Sequence, residues 1–293
     1  MKDLKTWRID AFTGAWGGGN PAGVVLVDTF PSDNQMQSVA KTLNYSETAF
    51  VRQDTPQTQT IRYFTPTLEV PLCAHATIAS YHLLLEESIL SPGTFDLKTN
   101  AGPQKVEVTD DGRIFMSQNK PKFGDVVPKV EFEKCFNNLE LNDLINPGRL
   151  VSTGLWKIFL EVQSTQVLET LTPNILEIDQ LARKYSALGI YLFVYSNQSR
   201  RGVTRNFAPV VGITEDSATG TSAAALACLL HQQERLGPNP IKNLSFKQGP
   251  NLSAPGELHV ELRSENKKTH SIKVGGFAKN RASSTISLTE MSS

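Results

Sequence analysis

Residues 62–66 read Arg-Tyr-Phe-Thr-Pro and residues 205–209 read Arg-Asn-Phe-Ala-Pro, with Arg, Phe and Pro in matching places. Each motif is followed by a short connection and a run of small and apolar residues suited to a buried helix, "CAHATIASYHLLL" from Cys73 and "TGTSAAALACLL" from Thr219. Aligning Leu83-Leu84 with Leu229-Leu230 leaves three extra residues in the second connection. Copies this far apart are not solenoid repeats, whose periods run to about 20–50 residues. They demand two halves of like construction, and 293 residues suit two domains. The polar segment "SQNKPKFGD", residues 117–125, separates an N-terminal domain over 1–120 from a C-terminal domain over 121–278. The tail, residues 279–293, alternates weakly in "STISL" and is read as a strand returning to complete the first domain.

Local patterns fill in the halves. The glycine-rich stretch "GAWGGGNPAG" before the apolar run Val24–Val27 brings backbone close to another group. Ser32 or Asp33 caps a helix with Met36, Val39, Ala40 and Leu43 on one face. In "SETAFV" the two-residue period places Glu47, Ala49 and Val51 on one side of a strand and Thr48 and Phe50 on the other. Strands are further expected at 60–66, 150–152, 158–162, 190–195, 258–262 and 272–274, and a helix at 178–185.

Charge narrows the function. Lys plus Arg and Asp plus Glu number 29 each, so no net field recruits nucleic acid or an anionic membrane. No run approaches the roughly 20 apolar residues of a membrane span, and the start lacks a signal-peptide core. A cytoplasmic protein acting on a small molecule is expected. Cys73, Cys135 and Cys228 are scattered and form no C-x-x-C pair, which argues for reduced thiols.

The two helix starts are the chemical candidates. A first helical turn presents unpaired N–H groups and a partial positive charge, so it takes a carboxylate if small side chains let one approach. Ala74, Ala76 and Thr77 meet that requirement in the first half; Ala218, Thr219, Gly220 and Thr221 do so in the second. Small residues also let a sheet wrap a helix tightly, so packing explains either run alone. His75 and Asp216 stand at these starts and both can move protons. Asp216 could equally be an acidic residue favoured by the helix dipole, and His75 a packed histidine. Glu47 is the third candidate, either an exposed charge at a strand start or a proton carrier on a strand face where burial would raise its pKa into a range useful to a general acid or base. Cys73 with His75 makes a C-x-H pair with no further ligand pair in the sequence, so no metal site is expected.

"DAFTGAWGGGNPAGVVL", "NYSETAFV" with "RYFTPTLEVPLCAHAT", and "GITEDSATGTSAAALA" together resemble the phenazine-biosynthesis isomerase-like (PhzF-like) proteins, relatives in fold of diaminopimelate epimerase; "VSTG" at 151–154 and "VGGFA" at 274–278 fit the same pattern. The resemblance implies an α+β fold of two similar domains. Each would be a curled, barrel-like sheet of mixed and antiparallel strands around a central helix, with the active site in the cleft between them and a homodimer as assembly. It implies an isomerase acting on a small carboxylate without cofactor or metal. Catalytic roles would fall on Glu47, His75 and Asp216. Substrate contacts would fall on Asn20, Ala74, Ala76, Thr77, Gly220, Thr221 and Ser222. The chain departs from the pattern at Ala74 in place of glycine, Ser217 in place of proline and Thr221 in place of serine. It also departs in "NLSAPGEL", residues 251–258, where the arginine of a G-R-P-S sequence is missing near Ala254. Cys73 is expected to be an idle wall residue. A non-catalytic carboxylate binder and an amino-acid racemase or epimerase are the alternatives. A two-thiol racemase is disfavoured because the second helix start carries no cysteine.

Overall fold

The arginines of the repeated motif make the same contact in both halves. Arg62 Nε and Nη2 donate to the two carboxylate oxygens of Glu69 at 2.7 and 2.6 Å, and Arg205 Nε and Nη2 donate to those of Glu215 at 2.9 and 2.8 Å. Each guanidinium also lies over the Phe two residues on, Phe64 or Phe207. The motif is therefore a fork that holds a short neighbouring strand to its own, and its purpose is structural. In the computed structural model, which describes residues 3–15, 17–265 and 268–287, the chain divides into two compact units. Unit 1 is Met1–Ser117 with Gly275–Ser293, and unit 2 is Gln118–Val274.

Unit 1 contains β1 (Asp3–Thr13), β2 (Asn20–Leu26), α1 (Asp33–Leu43), β3 (Thr48–Thr55), β4 (Thr58–Phe64), β5 (Glu69–Val70), α2 (Ala74–Glu86), β6 (Gly93–Thr99), β7 (Gly102–Val108) and β8 (Ile114–Ser117). Unit 2 contains β9 (Lys122–Val127), β10 (Phe136–Asn137), β11 (Gly148–Ser152), β12 (Trp156–Glu161), α3 (Thr165–Thr170), β13 (Thr172–Pro173), α4 (Ile175–Lys184), β14 (Ile190–Ser196), β15 (Arg201–Ala208), β16 (Ile213–Asp216), α5 (Gly220–Gln232), β17 (Ile241–Gln248) and β18 (Gly256–Glu265). The last strand, β19 (Lys268–Ser287), continues from the second unit into the first. The tail after Lys279 lies in β19 as far as Ser287 and pairs antiparallel with β1; 288–293 fall outside the described residues.

In unit 1 the strands close on themselves as a mixed barrel in the order β19-β1-β2-β3-β4-β6-β7-β8, with β8 returning to β19. The β2–β3 and β4–β6 pairs are parallel and the strands between them antiparallel. Parallel neighbours need a long crossover. Helix α1 supplies the first and α2 the second. Unit 2 repeats the sequence of directions: β9-β11-β12 antiparallel, β12–β14 parallel, β14–β15 antiparallel, β15–β17 parallel and β17–β18 antiparallel. Here α3 and α4 make the first crossover and α5 the second. The three extra residues between motif and helix widen the Arg–Glu spacing from 7 to 10 positions. The added turn is a 3-10 segment at Pro209–Val211.

Local chemistry explains where the elements begin. Ser32 caps α1 in a capping box with Gln35, and Met36, Val39 and Ala40 pack with Leu4, Val25, Phe50 and Phe64. Helix α2 has a different character. It is apolar and small on every side, is buried from Ala76 through Tyr81, and contacts β1, β2, β3 and β8, as expected of a helix with no solvent face. Its polar groups are paired internally. Tyr81 donates to Gln59 at 2.8 Å, Ser80 donates to the Ala76 carbonyl at 2.7 Å, and the Thr77 hydroxyl donates to the Cys73 carbonyl at 2.7 Å.

Candidate active site

Glu47 immediately precedes β3, and its carbonyl accepts the Gly23 N–H at 3.0 Å, which ties it to β2. The two strands approach so closely that a Cβ on Gly23 would stand 2.7 Å from Thr48 Oγ1, so no larger residue fits. The glycine-rich loop serves the same approach. Gly19 has φ +108°, and a Cβ there would meet the Ala11 carbonyl at 2.6 Å. Asn20 follows as the half-buried first residue of β2, and the neighbouring Pro21 carbonyl accepts from the Ser46 hydroxyl at 3.4 Å.

The start of α2 faces this corner. His75 Nδ1 lies 3.3 Å from Cys73 Sγ, and its Nε2 lies 3.2 Å from Ser46 Oγ and 3.0 Å from Glu47 Oε2. The side chains of His75 and Glu47 keep 12% and 21% of their exposure, although Glu47 Oε2 itself is buried. Glu47 Oε2 accepts no well-aligned hydrogen bond.

Burial pushes the Glu47 carboxyl up, but the adjacent His75, with smaller help from Ser46 and Cys73, outweighs it and holds the group below its ordinary value. The raised value expected from burial alone is thus corrected: the neighbouring cation wins. Burial opposes the charged form of His75, yet the Cys73 sulfur and the Glu47 carboxylate together raise it well above its ordinary value. Burial pushes the Cys73 thiol itself up, so at neutral pH Glu47 is the anion that sustains the imidazolium. Cys73, expected to be idle, touches the imidazole directly.

Other expected substrate contacts are redistributed. Ala74 is half-buried at the first helical position, whereas Ala76 and Thr77 are fully buried. The Thr77 hydroxyl is taken up between the Cys73 carbonyl and Tyr63 Oη, 2.6 Å away. The Thr77 hydroxyl is thus occupied within the helix start, and its N–H bonds the Cys73 carbonyl at 3.0 Å.

Asp216, Gly220, Thr221 and Ser222 belong to unit 2. Asp216 ends β16, and its carboxylate accepts from the Thr219 hydroxyl and from the Ala218 N–H at 3.3 Å. Thr219 also accepts from Asn206 and from Gln248 Nε2, whose other amide atom receives the Thr219 N–H at 3.2 Å. Asp216 thereby shapes the turn into α5. Thr221 is half-buried and Ser222 buried, and the Thr221 carbonyl accepts from Thr153 at 2.9 Å. The segment lacking the expected arginine packs beside this turn: the Gly256 N–H donates to the Ser217 carbonyl, and a Cβ on Gly256 would stand 2.7 Å from that oxygen. Cys228 is buried within α5, and the described first turn of that helix holds no thiol.

Lys157 was not legible in the sequence as a site residue. It is 4% exposed on β12 and its Nζ donates to the Phe207 carbonyl at 3.0 Å. Burial lowers it to about 7, with the charge of Asp216 working in the opposite direction. Nothing in a strand's alternation distinguishes a buried lysine from an outward one.

A model of the phenazine biosynthesis-like protein family matches residues 9–283, and the chain belongs to that family. An uncharacterised isomerase of Clostridium acetobutylicum is 35% identical, covering 95% of this chain and 96% of its own. An uncharacterised isomerase of Deinococcus radiodurans is also 35% identical, over 92% and 91%. The crystal structure of the Bacillus anthracis phenazine biosynthesis protein, PhzF family, superposes with a TM-score of 0.85 at 26% identity over 98% of this chain and 100% of that one. Among the described residues no helix is long and apolar enough to cross a membrane.

Proposed function

We propose that the protein is an isomerase of a small carboxylate that works by proton transfer through Glu47. The observation that carries the proposal is the Glu47 carboxylate, partly exposed and held in its charged form by His75, whose Nε2 lies 3.0 Å from Oε2. A carboxylate that is ionised at neutral pH can act as a general base. It removes one from a carbon next to the substrate carboxylate, and the same group returns it to a different carbon. The imidazolium of His75 stabilises the negative charge that builds up between the two steps, and first-turn N–H groups of α2 add to it. Within the second unit, Asp216, Gly220, Thr221 and Ser222 at the start of α5 remain proposed substrate contacts; within the first, Asn20 is proposed to flank the Glu47 corner. Each unit is read as a curled sheet around its small-residue helix, α2 or α5. The names carried by the relatives support the reaction class. Neither a metal nor an organic cofactor is needed for this chemistry. A homodimer and a cytoplasmic location complete the proposal.

The test is a panel of small cyclic and amino-acid-like carboxylates followed by proton NMR. Appearance of an isomer of equal mass supports the proposal. A rise in thermal midpoint with a panel member and no conversion would instead indicate a carboxylate binder. Racemisation of an amino acid would indicate an epimerase.

A further inference from the structure

The C-x-H pair at the start of α2 gains in three dimensions the third ligand that the sequence does not place beside it. Cys73 Sγ, His75 Nε2 and Glu47 Oε2 all lie within 4.8 Å of one another. The sulfur is 3.8 Å and the carboxylate oxygen 3.0 Å from the same imidazole nitrogen. Zinc bonds of about 2.0–2.3 Å in a tetrahedron put ligand atoms about 3.3–3.6 Å apart, so the three groups are close enough to share one ion. Cys73 Sγ stands nearer Nδ1, at 3.3 Å, than Nε2, so binding requires the imidazole to turn until the lone pair of one nitrogen faces the ion held by Sγ and Oε2. Glu47 Oε2 is buried with no geometrically aligned hydrogen-bond partner, and Ser46 Oγ lies 3.2 Å from His75 Nε2. We propose that Glu47, Cys73 and His75 form a binding site for a soft divalent cation, zinc in the first place, and that its occupation shuts the site down.

A thiolate, an imidazole and one carboxylate select zinc or cobalt over magnesium or calcium, which require oxygen donors. The bound ion displaces the thiol proton and occupies the carboxylate that would otherwise take a proton from carbon. Metal binding stands on the geometry alone; the inhibitory consequence rests on the reading of Glu47 as proton carrier.

Titration of the full chain with cobalt(II) tests it. One equivalent should bind with the absorbance of a cobalt–thiolate bond, and zinc should displace it. Cys73→Ser should remove the thiolate band, while Cys135→Ala and Cys228→Ala, which alter buried thiols elsewhere, should keep it. His75→Ala should weaken binding by about tenfold or more, and circular dichroism confirms that each variant folds. Absence of a thiolate band in the wild type, or its survival in Cys73→Ser, overturns the proposal. The readout is independent of turnover. If cobalt binds as described but Glu47→Gln keeps full activity, the metal site stands and the catalytic role of Glu47 falls. If cobalt does not bind and Glu47→Gln is inactive, the reverse holds.

Discussion

Nε2 of His75 stands 3.0 Å from Oε2 of Glu47, although one side chain issues from the first turn of α2 and the other from the residue before β3. They stand 28 positions apart in the chain, and the corner is assembled by the Gly23 N–H bond to Glu47 and by the Ser46 hydroxyl touching both Pro21 and His75. The pairing keeps both groups charged despite burial, and this has a direct consequence for pH dependence.

With His75→Ala, the influence that lowers the Glu47 pKa is removed while burial, which raises it, remains. The carboxylate then titrates at higher pH. The acidic limb of the kcat/KM profile, measured with a chelator present, should move upward in pH, and turnover at neutral pH should fall by less than in Glu47→Gln. An unmoved acidic limb would show that the imidazole does not govern Glu47.

Arg205 and Arg62 occupy the same place in the repeated motif but differ in burial. The Arg205 and Glu215 side chains keep 4% and 9% of their exposure, and Arg205 Nη1 also donates to the carbonyls of Leu168 and Leu171 at 3.1 and 2.6 Å. Arg62 and Glu69 keep 20% and 26%. Removing one partner of a buried pair leaves an uncompensated charge, so Arg205→Ala should cost about 3–5 kcal/mol. Arg62→Ala, nearer water, should cost about 1 kcal/mol. Urea unfolding of both variants checks the ranking, and equal losses would contradict it.

Lys157 presents the opposite case, a charge that folding penalises. Its folded value of about 7 lies below the ordinary 10.5, so the folded state disfavours the proton. The penalty is complete below about pH 7 and disappears as pH rises toward the unfolded value. At about 1.4 kcal/mol per unit, removing it outweighs the roughly 1–3 kcal/mol lost by leaving the Phe207 carbonyl unpaired. Lys157→Met should therefore be more stable than wild type at about pH 6, and the advantage should shrink or reverse toward pH 10. A pH-independent difference in unfolding midpoint would contradict the assignment.

Much of this architecture was readable from the sequence because it rests on local pattern. The R-x-F-x-P motif and the small-residue helices repeat, so the two matching orders of strands follow from them. The Ser32 cap and the spacing of Met36, Val39 and Ala40 fix α1. Contacts made across the chain were less accessible. The glutamate partners of the two motif arginines sit at different spacings because of the Pro209–Val211 turn, so no fixed interval marks them. Alternation places Glu47 on one face of a strand, yet it lies one residue before β3, whose Thr48–Val51 are buried on both faces, and the sign of its pKa shift depends on His75 lying beside it. Thr77 has the residue type of an anion ligand and is instead spent on Cys73 and Tyr63.

The central claim is that Glu47 moves a proton to and from carbon, and isotope exchange reads that event itself. Wild type and Glu47→Gln are incubated with the carboxylate panel in deuterated water, with a chelator present, and deuterium bonded to carbon is measured by mass spectrometry. The account predicts uptake with wild type and a loss of about 10²–10⁴-fold in the variant, with the variant's circular dichroism unchanged. Undiminished uptake in Glu47→Gln would contradict it.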